Sequence, residues 1–167
     1  TGGIGITDNV DTEAMDRLRE HEDTDIIDQD GLSMTYVAFN YEKEPFNDEN
    51  VRKAISHAID REQIISGVLN ERGIHAKNHI SPSVFAHNAD MEEVSFDLDL
   101  AKEYMADSSV PDGFDTVIWT SDSEQNRDIA LIIQESLSEL GINVEIEQYE
   151  HGAFLEMADQ GDHDMFM

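Results

Sequence analysis

Apolar residues recur at helical spacing between positions 51 and 69, and the rest of the chain is read outward from there. Val51, Ala54, Ile55, Ala58 and Ile59 fall at i, i+3, i+4, i+7 and i+8, so one stripe of a helix over 49–59 faces a core while Arg52, Lys53, Ser56 and His57 lie mostly off it. Asp48 is its natural N-cap. Asp60 is placed to cap a second helix over 61–70, with Gln63 at capping-box spacing and Ile64, Ile65, Val68 and Leu69 as the apolar face. Upstream, Met34, Tyr36 and Ala38 alternate with Thr35, Val37 and Phe39. A pattern apolar on both sides predicts an interior strand over 34–41.

Downstream, Asp97 or Asp99 caps a short helix with Ala101, Tyr104 and Met105 inward, stopped by Ser108, Ser109 and Pro111. The Pro-Asp-Gly-Phe turn at 111–114 leads into a strand over 115–120. Ser121, Asp122 and Ser123 then start the longest helix, 124–140, with Ile129, Ile132, Ile133, Leu137 and Leu140 on one face and Gly141 at its stop. A strand over 143–149 turns Val144 and Ile146 inward. A last helix, about 152–160, carries Ala153, Phe154 and Met157 before the apolar end at 165–167. Strands alternating with helices in this order predict an open α/β lobe, a mixed β-sheet with helices packed on it.

Three stretches tempt a chemical reading and do not support it. Residues 1–10 read as a Gly-rich entry and a short strand, but they complete no G-x-G-x-x-G or Walker pattern and no Lys follows to meet a phosphate. Asp11 or Thr12 then caps a helix through His21 with Ala14, Met15 and Leu18 inward. Residues 25–31 suggest a calcium loop, yet setting Asp28, Asp30 and Gly31 at loop positions three, five and six puts Ile26 at position one and Val37 at position twelve, so a solvated turn is expected. Residues 71–96 form a long irregular connection with His75, His79 and His87, without an H-E-x-x-H helix or any cysteine, and these read as surface histidines, not as a metal site.

Charge adds the next constraint. The chain carries 38 acidic and 10 basic residues, a formal net charge of −28, which excludes nucleic acid as a partner because phosphate contacts need clustered Lys and Arg. The carboxylates are spread along every element and only four lysines occur, Lys43, Lys53, Lys77 and Lys102. This reads as a surface adapted to concentrated salt, where screening over about 3 Å at 1 M removes most of the self-repulsion. There is no cysteine, no 18-residue apolar run and no leader pattern, so any targeting signal or membrane anchor is expected outside this sequence. No catalytic constellation stands out, and no cofactor is expected.

Asn40, Pro45, Phe46, Asp48, Val51, Arg52, Ala54, Ile55, Ala58, Ile59, Asp60, Arg61 and Ile64 follow the spacing N-x(4)-P-F-x-D-x-x-V-R-x-A-I-x-x-A-I-D-R-x-x-I. In this the chain resembles the family five extracellular solute-binding proteins of ABC importers for peptides and nickel. The likeness runs on through Pro82 and Asn88 to the Gly-Asp-His-Asp-Met-Phe-Met end at 161–167. It implies a periplasmic-binding-protein-like fold, with residues 1–25 as the segment crossing between lobes and first helix, and residues 26–167 as most of one lobe of a larger two-lobed protein. It also implies binding of a peptide or similar solute, an ABC permease as partner, an extracellular location with anchoring at the cytoplasmic membrane's outer face, and no enzymatic activity. Where the family shows Pro-x-Gly and Tyr-Asn-Pro motifs, this chain has Ser83, Val84 and His87 around Pro82 and Asn88. The family continues into a Gly-Trp and Asp-containing segment that Met167 stops short of, so an excised middle segment with half a pocket is expected. The alternative from another class is a stand-alone acidic α/β enzyme or regulatory domain.

In open α/β folds ligands lie beyond the carboxyl ends of strands. Two junctions qualify: 120–126, where the helix start at Ser123 offers backbone N–H groups that suit a carboxylate, and 149–151. The resemblance places a polar or cationic side chain at the bound peptide on Gln125 or Asn126, and an often aromatic position on His151. Ser121, Asp122, Gln125, Asn126 and His151 are therefore the candidate ligand residues, although Gln125 and Asn126 also read as solvated helix-start positions.

Overall fold

The computed structural model describes residues 5, 17–27 and 31–167. The expected strand over 1–10, the helix start at Asp11 or Thr12 and the turn at 28–30 lie outside the described residues. Two units separate, Thr1–Leu32 and Ser33–Met167. In the first, residues 17–19 are helical, and the chain turns after them as the Leu18 carbonyl accepts from the His21 N–H and the His21 carbonyl from the Thr24 N–H.

The second unit runs β1 (Ala38–Phe39), α1 (Glu49–Ala58), α2 (Arg61–Gly67), α3 (Leu98–Ala106), β2 (Asp115–Ser121), α4 (Glu124–Ser138), β3 (Asn143–Tyr149), α5 (His151–Gln160) and β4 (Met165–Phe166). Side-chain oxygens set the helix starts. Asp48 accepts the Asn50 N–H at 2.8 Å, Asp60 those of Glu62 and Gln63 at 3.0 and 3.2 Å, and Asp97 that of Leu100 at 3.0 Å. The other oxygen of Asp48 takes the Ser109 N–H at 2.7 Å, so the residue that starts α1 also fixes the chain leaving α3. These N–H groups, Ser109's first, hold the Asp48 carboxyl below its ordinary range. α2 stops at Gly67, short of the expected 70, because Asn70 and Glu71 take left-handed backbone (φ 49° and 61°) and the Ile65 carbonyl accepts from Glu71 N–H.

The sheet is mixed, in the order β1-β4-β2-β3. β2 and β3 are parallel and paired over seven positions, from Asp115 with Asn143 to Ser121 with Tyr149. β4 runs parallel to β2, and β1 antiparallel to β4. Gly113 and Gly141, in the turns entering β2 and β3, both have positive φ, and a Cβ on Gly113 would lie 2.0 Å from the Gly141 carbonyl oxygen. Only a bare backbone lets those turns sit side by side.

The first strand also departs from expectation. The strand expected over 34–41 as an interior element is two residues long and lies at the sheet's edge. Its partner β4 offers only two residues; next to them the Asn40 N–H donates to the Asp164 carbonyl at 2.9 Å, and its side-chain amide to the carbonyls of Gly161 (2.8 Å) and His163 (3.0 Å). Only part of the two-sided apolar pattern is covered: Val37, Ala38 and Phe39 are half-buried, whereas Tyr36 and Tyr41 are exposed.

Register assigns the faces. Thr116, Ile118 and Thr120 share one face with Val144, Met165 and Phe39, against which α1, α3 and α4 pack to form the main core with Phe46, Ile55, Ile133 and Leu137. Trp119 and Phe166 are paired on the opposite face, where Phe154 of α5 meets Phe166. Among the described residues no helix is long and apolar enough to cross a membrane.

Candidate ligand edge of the sheet

Because β2 and β3 are parallel and in register, Ser121 and Tyr149 end side by side and both strand-to-helix junctions open at the same sheet edge. α4 then passes to the aliphatic face and α5 to the other. Neighbouring strands whose connections leave to opposite sides open a crevice between them, the usual ligand position in open α/β sheets.

The sequence-predicted residues are distributed around that crevice. Ser121 closes β2 and is buried, and its Oγ accepts from Asn126 Nδ2 at 2.8 Å. The half-buried Asn126 thus fixes the junction with its side chain, while its backbone N–H donates to the capping Ser123 Oγ at 3.4 Å. Asp122 and Gln125 are exposed on the α4 flank. His151 is the exposed first residue of α5, on the other flank. The structure therefore joins Ser121 to Asn126 and sets His151 across the edge from them.

Helix starts shape the electrostatics. Glu150 caps α5 by accepting from Gly152 and Ala153 N–H at 3.0 and 3.2 Å, and these bonds hold its carboxyl below the ordinary range. On the α4 side the first-turn amides of Glu124 and Gln125, which a helix cannot satisfy internally, are the donors available to an anionic group. Asp122, Glu124 and Glu150 are carboxylates at the same edge, a setting suited to a ligand that also carries an amino group.

Sequence reasoning missed an aromatic cluster behind this edge. Trp119 meets Tyr149 edge-on at 5.4 Å and His163 at 6.1 Å between ring centroids; His163 meets Phe166 at 4.7 Å, and Phe166 meets Phe154 at 5.8 Å and Tyr36 at 6.3 Å. The Tyr149 hydroxyl donates to Glu147, and this bond, with burial second, raises its pKa. The signal in the sequence was the alternation within β2, which puts Trp119 and Ser121 on one side and Ile118 and Thr120 on the other. Assigning that side to an aromatic face needs the register with Tyr149 and Phe166.

The segment carrying His163 is tied down from a distance. Besides the two Asn40 bonds, the Lys43 ammonium donates to the Asp162 carbonyl and pairs with Asp164 at 3.1 Å, while Thr116 Oγ1 donates to the other Asp164 oxygen at 3.3 Å. Elsewhere His75 lies between Glu93 (2.6 Å) and Glu62 (3.2 Å), fastening the long connection onto α2. Among the described residues no group of three or more His, Cys, Asp or Glu side chains is placed to hold a metal ion.

Comparison with known proteins accounts for the whole chain. The family profile described as Bacterial extracellular solute-binding proteins, family 5 Middle, matches residues 1–167. The Dipeptide-binding protein of Escherichia coli (strain K12) is 28% identical over 156 residues, covering 90% of this chain and 29% of that protein. Among solved structures, the ABC transporter-associated periplasmic binding protein DppA from Helicobacter pylori, in complex with peptide STSA, superposes with a TM-score of 0.85 at 30% identity over 92% of this chain and 30% of that one. The dipeptide binding protein from Pseudoalteromonas sp. SM9913, in complex with Met-Leu, gives 0.83 at 29% identity over 93% and 32%. The chain therefore spans about three tenths of the length of these relatives.

Proposed function

The chain belongs to the bacterial extracellular solute-binding proteins of family 5, and from that premise we propose that it binds a peptide, most simply a dipeptide, for delivery to an ABC permease. The observation that carries this reading is the parallel pairing of β2 and β3, which ends Ser121 and Tyr149 in register at the edge from which two helices diverge. Ser121, Asp122, Gln125, Asn126 and His151 are the proposed contacts. Ser121 and Asn126 shape the rim, Asp122 faces the peptide's amino end, and Gln125 and His151 offer hydrogen bonds from the two flanks. Relatives whose names state dipeptide or di/tripeptide binding support the choice of ligand. In this reading residues 26–167 form most of one lobe and residues 1–25 cross toward a second lobe that closes on the solute about a hinge. The family is extracellular or periplasmic, and a membrane anchor is proposed outside this sequence.

The same proposal includes adaptation to concentrated salt, on the strength of the net charge of −28. Circular dichroism melts should rise steeply between low salt and about 1 M; a flat response removes that part. Ligand binding is tested by isothermal calorimetry with a dipeptide panel on the protein with both lobes. Gln125→Ala and His151→Ala should each weaken binding about 2- to 10-fold, the equivalent of about 0.5–1.5 kcal/mol for a neutral hydrogen bond. Unchanged affinity in both variants would remove the assigned edge.

A further inference from the structure

His163 is a titratable group under the aromatic face, just before the amino end of β4, that the proposed contacts leave unused. The residue, between α5 and β4, is 9% exposed, and its Nδ1 is buried without a hydrogen-bond partner. Its ring is held between Phe166 and Trp119, with edge-to-face geometry to both. The backbone around it is fixed, because its own carbonyl accepts from Asn40 Nδ2 and the carbonyl of Asp162 from Lys43. The charged groups facing it are Asp162 and Asp164 from its own loop and Lys43 from the connection between β1 and α1. Beyond Trp119, the Tyr149 hydroxyl is already given to Glu147. Both oxygens of Asp164 are engaged, by Lys43 and by Thr116.

We propose that His163 is a pH-sensitive positioning residue. Neutral, it seats Trp119 and Phe166 behind the ligand edge; protonated, it leaves that seat and loosens the edge, so that solute held at neutral pH is released in mild acid. The second half deepens the peptide-binding reading and rests on it, whereas the first half concerns only this chain. Burial first, then the Lys43 ammonium, pull the imidazole below its ordinary value of 6.5 against the opposing pull of Asp164 and Asp162. A base held neutral by its surroundings lends its seated state full stability above the ordinary value, and that stability falls as pH drops below it.

Trp119 is the only tryptophan of the chain, and a protonated imidazole in contact with an indole quenches its emission. Fluorescence of the 167-residue chain, scanned from about pH 8 to about pH 5, should show one step whose midpoint lies below the ordinary histidine value. His163→Gln should abolish the step, and Asp162→Asn, which removes an opposing carboxylate, should move it to lower pH. The His163 ring resonances, recognised by nuclear Overhauser contacts to Trp119, give the same midpoint in the wild-type chain and need no variant to fold. Emission and resonances that stay flat across the range would overturn the proposal, as would a step that persists in folded His163→Gln. With the dipeptide Met-Leu as probe on the protein with both lobes, dissociation constants should rise about tenfold between pH 7.5 and 5.5 and become pH-independent in His163→Gln. A fluorescence step with pH-independent Met-Leu affinity overturns the release half. A step without Met-Leu binding at any pH supports the seat and overturns the dipeptide reading itself.

Discussion

The two faces of the sheet are built from different chemistry. The face under α1, α3 and α4 is aliphatic and closed: Ile118, Met165, Ile55, Ile133 and Leu137 are all within 2% of complete burial. The face under α5 is aromatic and partly open, with Trp119 and Phe154 buried, Phe166 and Tyr149 half-buried and Tyr36 exposed. Aliphatic contacts are non-directional and cooperative, so the first face serves stability. Edge-to-face rings are directional and bring polar atoms with them. The second face can therefore hold a titratable group, and the two faces of one sheet differ in how tightly they are closed.

Substitutions can break or sharpen that division. Leu137→Ala, on the closed face, should cost about 2–5 kcal/mol, because the surroundings cannot collapse onto the cavity; chemical denaturation reads it, and a cost near zero would remove the claim that this face carries the fold. Asp48→Ala should cost about 0.5–2 kcal/mol by releasing the α1 cap and the Ser109 N–H together. Its pH signature follows from the lowered carboxyl. The stability Asp48 lends is complete above about pH 4 and is lost as pH falls through the depressed value, so wild type and variant should converge in acid melts. Thr120→Val tests the one polar flaw of the closed face, a fully buried hydroxyl with no partner. Exchanging it for a methyl of the same shape should stabilise by about 1 kcal/mol, seen as a higher Tm. The smallest effect on stability belongs to the edge: Gln125→Ala and His151→Ala, both exposed, should leave Tm unchanged within about 0.5 kcal/mol. A large loss of Tm would make those side chains structural.

What could be read from the sequence divides along similar lines. The caps at Asp48, Asp60 and Ser123 and the buried stripe Val51, Ala54, Ile55 and Ala58 were legible, and Asp97 was one of two candidates for its cap, because each rests on neighbours at most four positions apart. The strands β2 and β3 were legible from their flanking turns, but not their parallel pairing or their order in the sheet. The length and edge position of β1 were not legible either, since they depend on pairing with residues of β4 126 and 128 positions away. Nor was the departure of α4 and α5 to opposite faces, which follows from strand order. At the edge, strand-to-helix junctions are local signals, and the two that the sequence marked end side by side on paired strands. The engagement of Asn126 with Ser121 depends on a rotamer, and the Trp119, His163 and Phe166 cluster on register between distant strands.

The Asn40 bonds to Gly161 and His163 also bear on how the unit assembles. They join residues 121 and 123 positions apart, whereas Asn143 meets Asp115 across only 28. Closing the longer loop costs about 1 kcal/mol more chain entropy than the shorter, and contacts of large sequence separation are the slow ones to form. The β2–α4–β3 crossover unit, with its shorter closures, is thus the natural nucleus. The aromatic face, which brings His163 and Phe166 to Trp119, depends on more distant contacts than that unit and is expected to close after it.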